Sequence, residues 1–285
     1  MIIIESLKEM QAHSASLRAK GYKIGFVPTM GFLHEGHLSL MKDASSHFDQ
    51  AVVSIFINPL QFGPAEDFEK YPRDIDGDVR KCQEAGVQTV FLPRRGEIAG
   101  KESSTFVVME NLMGVLCGTS RPGHFKGVAT IVLKLLNVIQ PHCLYLGAKD
   151  FQQTVVLRKM IQDFFIPVEV KVLPTVREPD GLAMSSRNSY LSANERRSAT
   201  VLFRAMTAGE ERYHQGVRQG SLLRSIMIEE IMKENNVKID YLEIIDAETL
   251  VPVDWVGPKS VAVLAVWIGK TRLIDNWFFP AIHKN

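Results

Sequence analysis

The chain has 285 residues, 46% of them hydrophobic, and its 33 basic side chains nearly cancel 32 acidic ones, for a formal net charge of +1. With no block of like charge it lacks the electrostatic footprint of a nucleic-acid or membrane-surface binder, so neither partner is expected. No segment approaches the roughly 18 apolar residues needed to cross a bilayer, and Met1-Ile2-Ile3-Ile4-Glu5 lacks the basic and long apolar regions of a secretory signal. Cys82, Cys117 and Cys143 are odd in number and far apart, which suits reduced, packed thiols, and a cytoplasmic location is expected.

Taken in chain order, short apolar runs predict strands at residues 23–27, 50–57, 87–92, 142–146 and 166–172. Helical spacing predicts helices at 36–47, 75–85, 126–139 and 151–163 between them. Strand and helix in alternation are the signature of βαβ units, so the fold class is α/β with a parallel sheet. After Pro174 the alternation stops: two helical patterns follow Ser192, then strand candidates at 238–245, 260–266 and 271–276. The polar turn Arg177-Glu178-Pro179-Asp180-Gly181 places a boundary at about 176, giving domains 1–176 and 177–285, the second smaller and α+β.

The most informative motif follows the first of these strands: Met30-Gly31-Phe32-Leu33-His34-Glu35-Gly36-His37. Unpaired N–H groups and the positive dipole end at a helix start bind anions, and two histidines on the first turn add donors for an oxygen gaining charge. Gly31 and Gly36 would let a ligand approach the backbone. By itself the pair also fits two zinc ligands or ordinary helix-start polarity. Past the next strand, Asn58 and Gln61 are amides suited to an uncharged polar substrate. Tyr71-Pro72-Arg73 ends a long loop. Arg121 and His124 precede an apolar helix, where Arg can bind a carboxylate or phosphate with two bonds. Lys149 offers a point charge, Asp150 a helix cap, and Gln153 projects from the first turn that follows. Met184-Ser185-Ser186-Arg187 sets two hydroxyls and a guanidinium on a flexible loop able to grip a triphosphate.

Together these segments resemble the pantoate–β-alanine ligase (pantothenate synthetase) family, in order from the first strand to Leu191 and more loosely to Arg272-Leu273-Ile274-Asp275-Asn276. His34-Glu35-Gly36-His37 and Met184-Ser185-Ser186-Arg187 are also similar to the two signature motifs of class I aminoacyl-tRNA synthetases. The resemblance implies a Rossmann-like N-terminal domain binding ATP and pantoate, a C-terminal domain acting as a lid, and a homodimer. It implies attack of pantoate on the α-phosphate of ATP, then displacement of AMP from pantoyl adenylate by β-alanine. Mg²⁺ is expected on the phosphates, with no metal held by protein ligands alone. In this scheme His37 is the catalytic acid, with His34, Lys149 and Arg187 beside it in catalysis. The nucleotide falls to residues 30–37, to Gly147, Ala148, Lys149 and Asp150, to Val176, and to Met184, Ser185, Ser186 and Arg187. Gln61 and Gln153 bind pantoate, Gln61 also lies near β-alanine, and Asn58, Arg121 and His124 line the same cavity. Ala148 departs from the family's usual glutamate. A nucleotidyltransferase that stops at the adduct, and a nucleotide sensor without catalysis, are the alternatives.

Overall fold

The computed structural model describes residues 1–64, 66–100 and 102–280. The chain divides into two compact units: Met1–Ala148 with Gln153–Pro174, and Lys149–Gln152 with the chain from Thr175 onward. The sequence alone puts Lys149 and Asp150 in the first domain. In the structure they group with the second, where Asn276 of the small sheet donates to the Lys149 carbonyl.

The first unit holds β1 (Ile2–Ile4), α1 (Leu7–Ala19), β2 (Ile24–Thr29), α2 (Glu35–His47), β3 (Gln50–Ile55), α3 (Ile75–Glu84), β4 (Thr89–Phe91), the single turns α4 (Arg95–Ile98) and α5 (Cys117–Ser120), α6 (His124–Ile139), β5 (Cys143–Gly147), α7 (Phe151–Asp163) and β6 (Glu169–Leu173). Its six strands lie in the order β1-β4-β3-β2-β5-β6, all parallel. This is the Rossmann-like sheet the alternation predicts. Buried on both faces, its inner strands are largely apolar: Ile24, Phe26, Val27, Val52, Val53, Val90 and Phe91 have no exposed surface. β1 and α1 are not apparent in the sequence, because β1 is a three-residue edge strand and α1 buries only Met10, Ser14 and Leu17.

Strand order decides where ligands can enter. From β2 the chain runs outward through β3 and β4, then returns to lay β5 on the opposite side of β2. Ligands of open α/β sheets bind at such a switch point, outside the carboxyl ends of the strands. Here β2 pairs with β3 through Thr29 but with β5 only at Gly25 and Phe26. The β2–β5 pairing thus ends at Phe26, and Pro28, two residues on, brings no N–H to a ladder.

The second unit packs α8 (Ala193–Ser198), α9 (Val201–His214) and α10 (Gly220–Ile231) on an antiparallel sheet of β7 (Val237–Asp246), β8 (Ser260–Ile268) and β9 (Thr271–Phe278). Leu202, Met206, Leu223, Met227, Leu264 and Val266 belong to its buried core. All three cysteines are free and buried, and burial pushes the Cys82 and Cys143 thiols up to about 12 and about 11. No helix among the described residues is long and apolar enough to cross a membrane.

Candidate active site

The turn after β2 is built by local bonds. Thr29 Oγ1 donates to the Ser54 carbonyl at 2.8 Å and accepts from Gly31 N–H at 3.2 Å, tying the turn to β3. Gly31 and Phe32 both adopt positive φ, +82° and +50°, and strain at a non-glycine residue such as Phe32 survives only where the surroundings over-determine it. They do so through Asp78 of α3: its carboxylate oxygens accept from the N–H groups of Phe32 and Leu33, each at 2.7 Å, and Lys81 Nζ donates to the Leu33 carbonyl at 2.7 Å. A Cβ on Gly31 would lie 2.9 Å from Asp78 Oδ2. The bare Cα therefore makes room for a carboxylate of this chain, where the sequence suggests a ligand. Burial pushes the Asp78 carboxyl above its ordinary value, against the pull of the Leu33 and Phe32 N–H groups.

His34 caps α2, and the histidine pair is reciprocal. His34 Nδ1 accepts from Gly36 N–H, and His37 Nδ1 accepts from His34 N–H, each at 3.2 Å. The two rings lie 4.0 Å apart, inclined at 40°. An Nδ1 that accepts carries no proton, so this geometry assigns the neutral ring proton to Nε2 in both histidines. In that tautomer the donor of each ring is Nε2–H. Both sit at the carboxyl end of β2, the central strand at the switch point.

Beyond β3, Asn58 is 3% exposed and uses its polar atoms internally. Its oxygen accepts from Leu60 N–H, and its amide donates to Gln61 Oε1 at 3.0 Å and to the Gly127 carbonyl at 3.1 Å. The Gln61 amide in turn donates to Met30 Sδ at 3.0 Å. Asn58 is therefore a support for Gln61, where the sequence makes it a cavity lining. Arg121 and His124 are redirected in the same way. His124 Nδ1 bonds the Gln61 carbonyl at 2.8 Å, and Arg121 also donates to it at 3.2 Å while gripping Glu66 with two bonds of 2.8 and 2.6 Å. Burial opposes charge on Glu66, yet its bonds to Arg121 hold the carboxyl below the usual range. The Arg121 guanidinium thus already has a carboxylate. Gly127 lets α6 approach this turn, since a Cβ there would lie 2.1 Å from the Leu60 carbonyl oxygen.

In the second unit the segment after Pro174 is a pinned hairpin, where the sequence suggests a flexible loop. Met184 N–H donates to the Val176 carbonyl at 3.0 Å, and Glu178 N–H to the Leu182 carbonyl at 2.8 Å. Arg177 makes a bidentate pair with buried Asp275 of β9, at 2.7 and 3.0 Å, and Arg196 pairs with Glu178 and Asp180. Ser185 Oγ accepts from Arg187 N–H at 3.3 Å and opens a 3-10 turn from Ser186 to Tyr190. Beside Asp275, Asn276 donates to the Lys149 carbonyl at 2.9 Å. Adjacent residues of β9 therefore hold the Lys149 segment and the base of the Ser185–Arg187 turn. Gly147 ends β5, Ala148–Asp150 forms a 3-10 turn, and half-buried Gln153 stands in the first turn of α7. Among the described residues no three His, Cys, Asp or Glu side chains gather as a metal cage.

Asp78, Lys81 and Glu66 are absent from the sequence-based candidates. Asp78 and Lys81 carry a visible signal, acid and base one helical turn apart facing α2, but only the fold reveals their target. Residues 2–278 match the family model described as pantoate-beta-alanine ligase. The chain belongs to the pantoate–β-alanine ligase family. It is a ligase of pantothenate biosynthesis. The pantothenate synthetase of Thermotoga neapolitana is 49% identical over 276 residues, which is 97% of this chain and 99% of that one. The crystal structure of pantothenate synthetase from Thermus thermophilus aligns with a TM-score of 0.92 at 42% identity, covering 98% of this chain and all of that one. A pantoate-beta-alanine ligase from Francisella tularensis, solved in complex with beta-gamma ATP and beta-alanine, aligns at 0.82 and 34% identity over 98% of this chain and 97% of its own.

Proposed function

We propose that the chain condenses pantoate with β-alanine to pantothenate in two steps driven by ATP. A pantoate carboxylate oxygen attacks the α-phosphorus, pyrophosphate leaves, and pantoyl adenylate forms. The β-alanine amine then attacks the acyl carbon, loses a proton, and AMP departs. The observation that carries this reading is the reciprocally capped histidine pair at the end of β2, with both Nε2–H groups as donors. In-line transfer at phosphorus asks mainly for positioning and charge stabilisation. His34 and His37 would donate to phosphate oxygens as charge moves onto pyrophosphate, with His37 the principal catalytic group. Lys149, Ser185, Ser186 and Arg187 would contact the phosphates, while residues 30–37, Gly147, Ala148, Asp150, Val176 and Met184 complete the nucleotide contacts.

Gln61 and Gln153 would bind pantoate through their amides. Asn58, Arg121 and His124 act on substrate through Gln61, whose side chain and carbonyl they fix. Mg²⁺ would arrive on the triphosphate and neutralise its charge. Such an ion would be held by phosphate oxygens and water. A homodimer and a cytoplasmic location remain part of the proposal by resemblance. Incubation with ATP, Mg²⁺, pantoate and β-alanine should give AMP and pantothenate by mass. Release of pyrophosphate with neither free AMP nor pantothenate would overturn the reading in favour of a transferase that stops at the adduct.

A further inference from the structure

The proposed reading leaves unexplained a fully buried carboxylate beside the phosphate-binding turn. Asp78 has no exposed surface, and a buried carboxylate costs much unless every oxygen is used. Both oxygens are used here, on the N–H groups of Phe32 and Leu33, and Lys81 closes the same turn from its carbonyl side. Three bonds from one helix thus converge on three consecutive peptide units. Such charge-assisted bonds are short and directional.

We propose that Asp78 and Lys81 are positioning residues which set the direction of the His34 and His37 rings by clamping the Phe32–Leu33 backbone; the inference rests on the proposed use of those rings. Leu33 immediately precedes His34, whose N–H is bonded to His37 Nδ1 and whose Nδ1 is bonded to Gly36 N–H. Fixing the peptide units on both sides of Leu33, one at its N–H and the next at its carbonyl, restricts the orientation of the His34 cap, and His37 inherits it through its bond to His34 N–H. The clamp also turns the Phe32 and Leu33 N–H groups toward α3, so that the anion is left to the helix start and the two imidazoles. Without the clamp the strained positive-φ turn has somewhere to go. A cavity of about 340 Å³, lined in part by Met30, Gly31, Phe32, Ile75 and Asp78, lies against it.

The test uses the whole chain with Asp78→Asn, Lys81→Met and Lys81→Arg, each checked for fold by circular dichroism and assayed for pantoate-dependent ATP–pyrophosphate exchange and for pantothenate formation. Asp78→Asn keeps the volume but sets an NH₂ against a backbone N–H. It should lower kcat/KM for ATP about 10- to 100-fold while KM for β-alanine stays within about twofold. Lys81→Met should lower it in the same direction by less, and Lys81→Arg, which keeps a donor for the Leu33 carbonyl, should restore it. A folded Asp78→Asn with wild-type kcat/KM for ATP, or with KM for β-alanine raised in parallel, overturns the proposal. If Asp78→Asn does not fold, Lys81→Met decides, and a wild-type value there overturns it. Failure of the proposed activity itself is distinguishable, because the wild-type chain would then form no pantothenate.

Discussion

His37 combines two properties that the sequence could suggest only separately: it starts a helix, and its ring is locked by the backbone of its partner histidine. His37→Ala should preserve the fold and lower adenylate formation by about 10²–10³, as loss of an oxyanion-type donor does. Single-turnover assays with ATP and pantoate measure this, and near-normal turnover would remove His37 from the mechanism. For Gln61 the relevant context is Asn58, which anchors its side chain to the Gly127 carbonyl. Gln61→Ala should weaken pantoate binding more than ATP binding, and Asn58→Ala should repeat that pattern without touching substrate. Calorimetric titration separates the two ligands, and an equal loss of both would count against the assignment. The residue types were legible in the sequence, as amides and histidines past strand ends. Which of them face a ligand was not, because Asn58, Arg121 and His124 have partners on elements far along the chain.

At the scale of elements, strand and helix positions in the first unit follow from apolar periodicity, and all but β1, α1 and the single turns α4 and α5 are read correctly. What periodicity misses is how elements hold one another. β9 was legible as a strand, yet its part in holding Arg177 and Lys149 depends on the fold, which brings them to Asp275 and Asn276 from far along the chain. The Arg177–Asp275 pair is bidentate and its carboxylate fully buried. Asp275→Asn should therefore destabilise the second unit by about 3–5 kcal/mol, because it leaves Arg177 without its charge partner. Chemical denaturation followed at Trp277 reads the effect, and an unchanged midpoint would mean that the hairpin is held mainly by Arg196 and Asn188.

Across the whole molecule, acid stability gathers the shifts of separate residues with opposite signs. Glu66 and Asp180 have carboxyls held below their ordinary values of 4.5 and 3.8: burial resists on Glu66 but Arg121 outweighs it, and Arg196 dominates on Asp180. The stability they give is fully present above those values and is lost as pH falls below them. Asp78 runs the other way. Its value is raised, so its contribution is complete below 3.8 and declines as pH rises through the raised value. On going from pH 7 to pH 4 the wild type should thus gain from Asp78 part of what it loses elsewhere. Asp78→Asn lacks that gain, and its thermal midpoint should fall further over the same interval. Parallel curves for the two proteins in thermal scans would contradict the assignment.

The sequence by itself determined the α/β class, the strand-end motifs and the family, because apolar period, glycine and proline positions and the order of motifs are local properties. Only the tertiary structure decided that β5 returns beside β2, that Asp78 and Lys81 fix the turn before His34, and that Arg121 is paired to Glu66. Each of these is a bond or pairing between residues distant in the chain. Buried charge and unmet backbone donors are satisfied by whatever the fold brings within about 3 Å, and a linear pattern does not encode that distance.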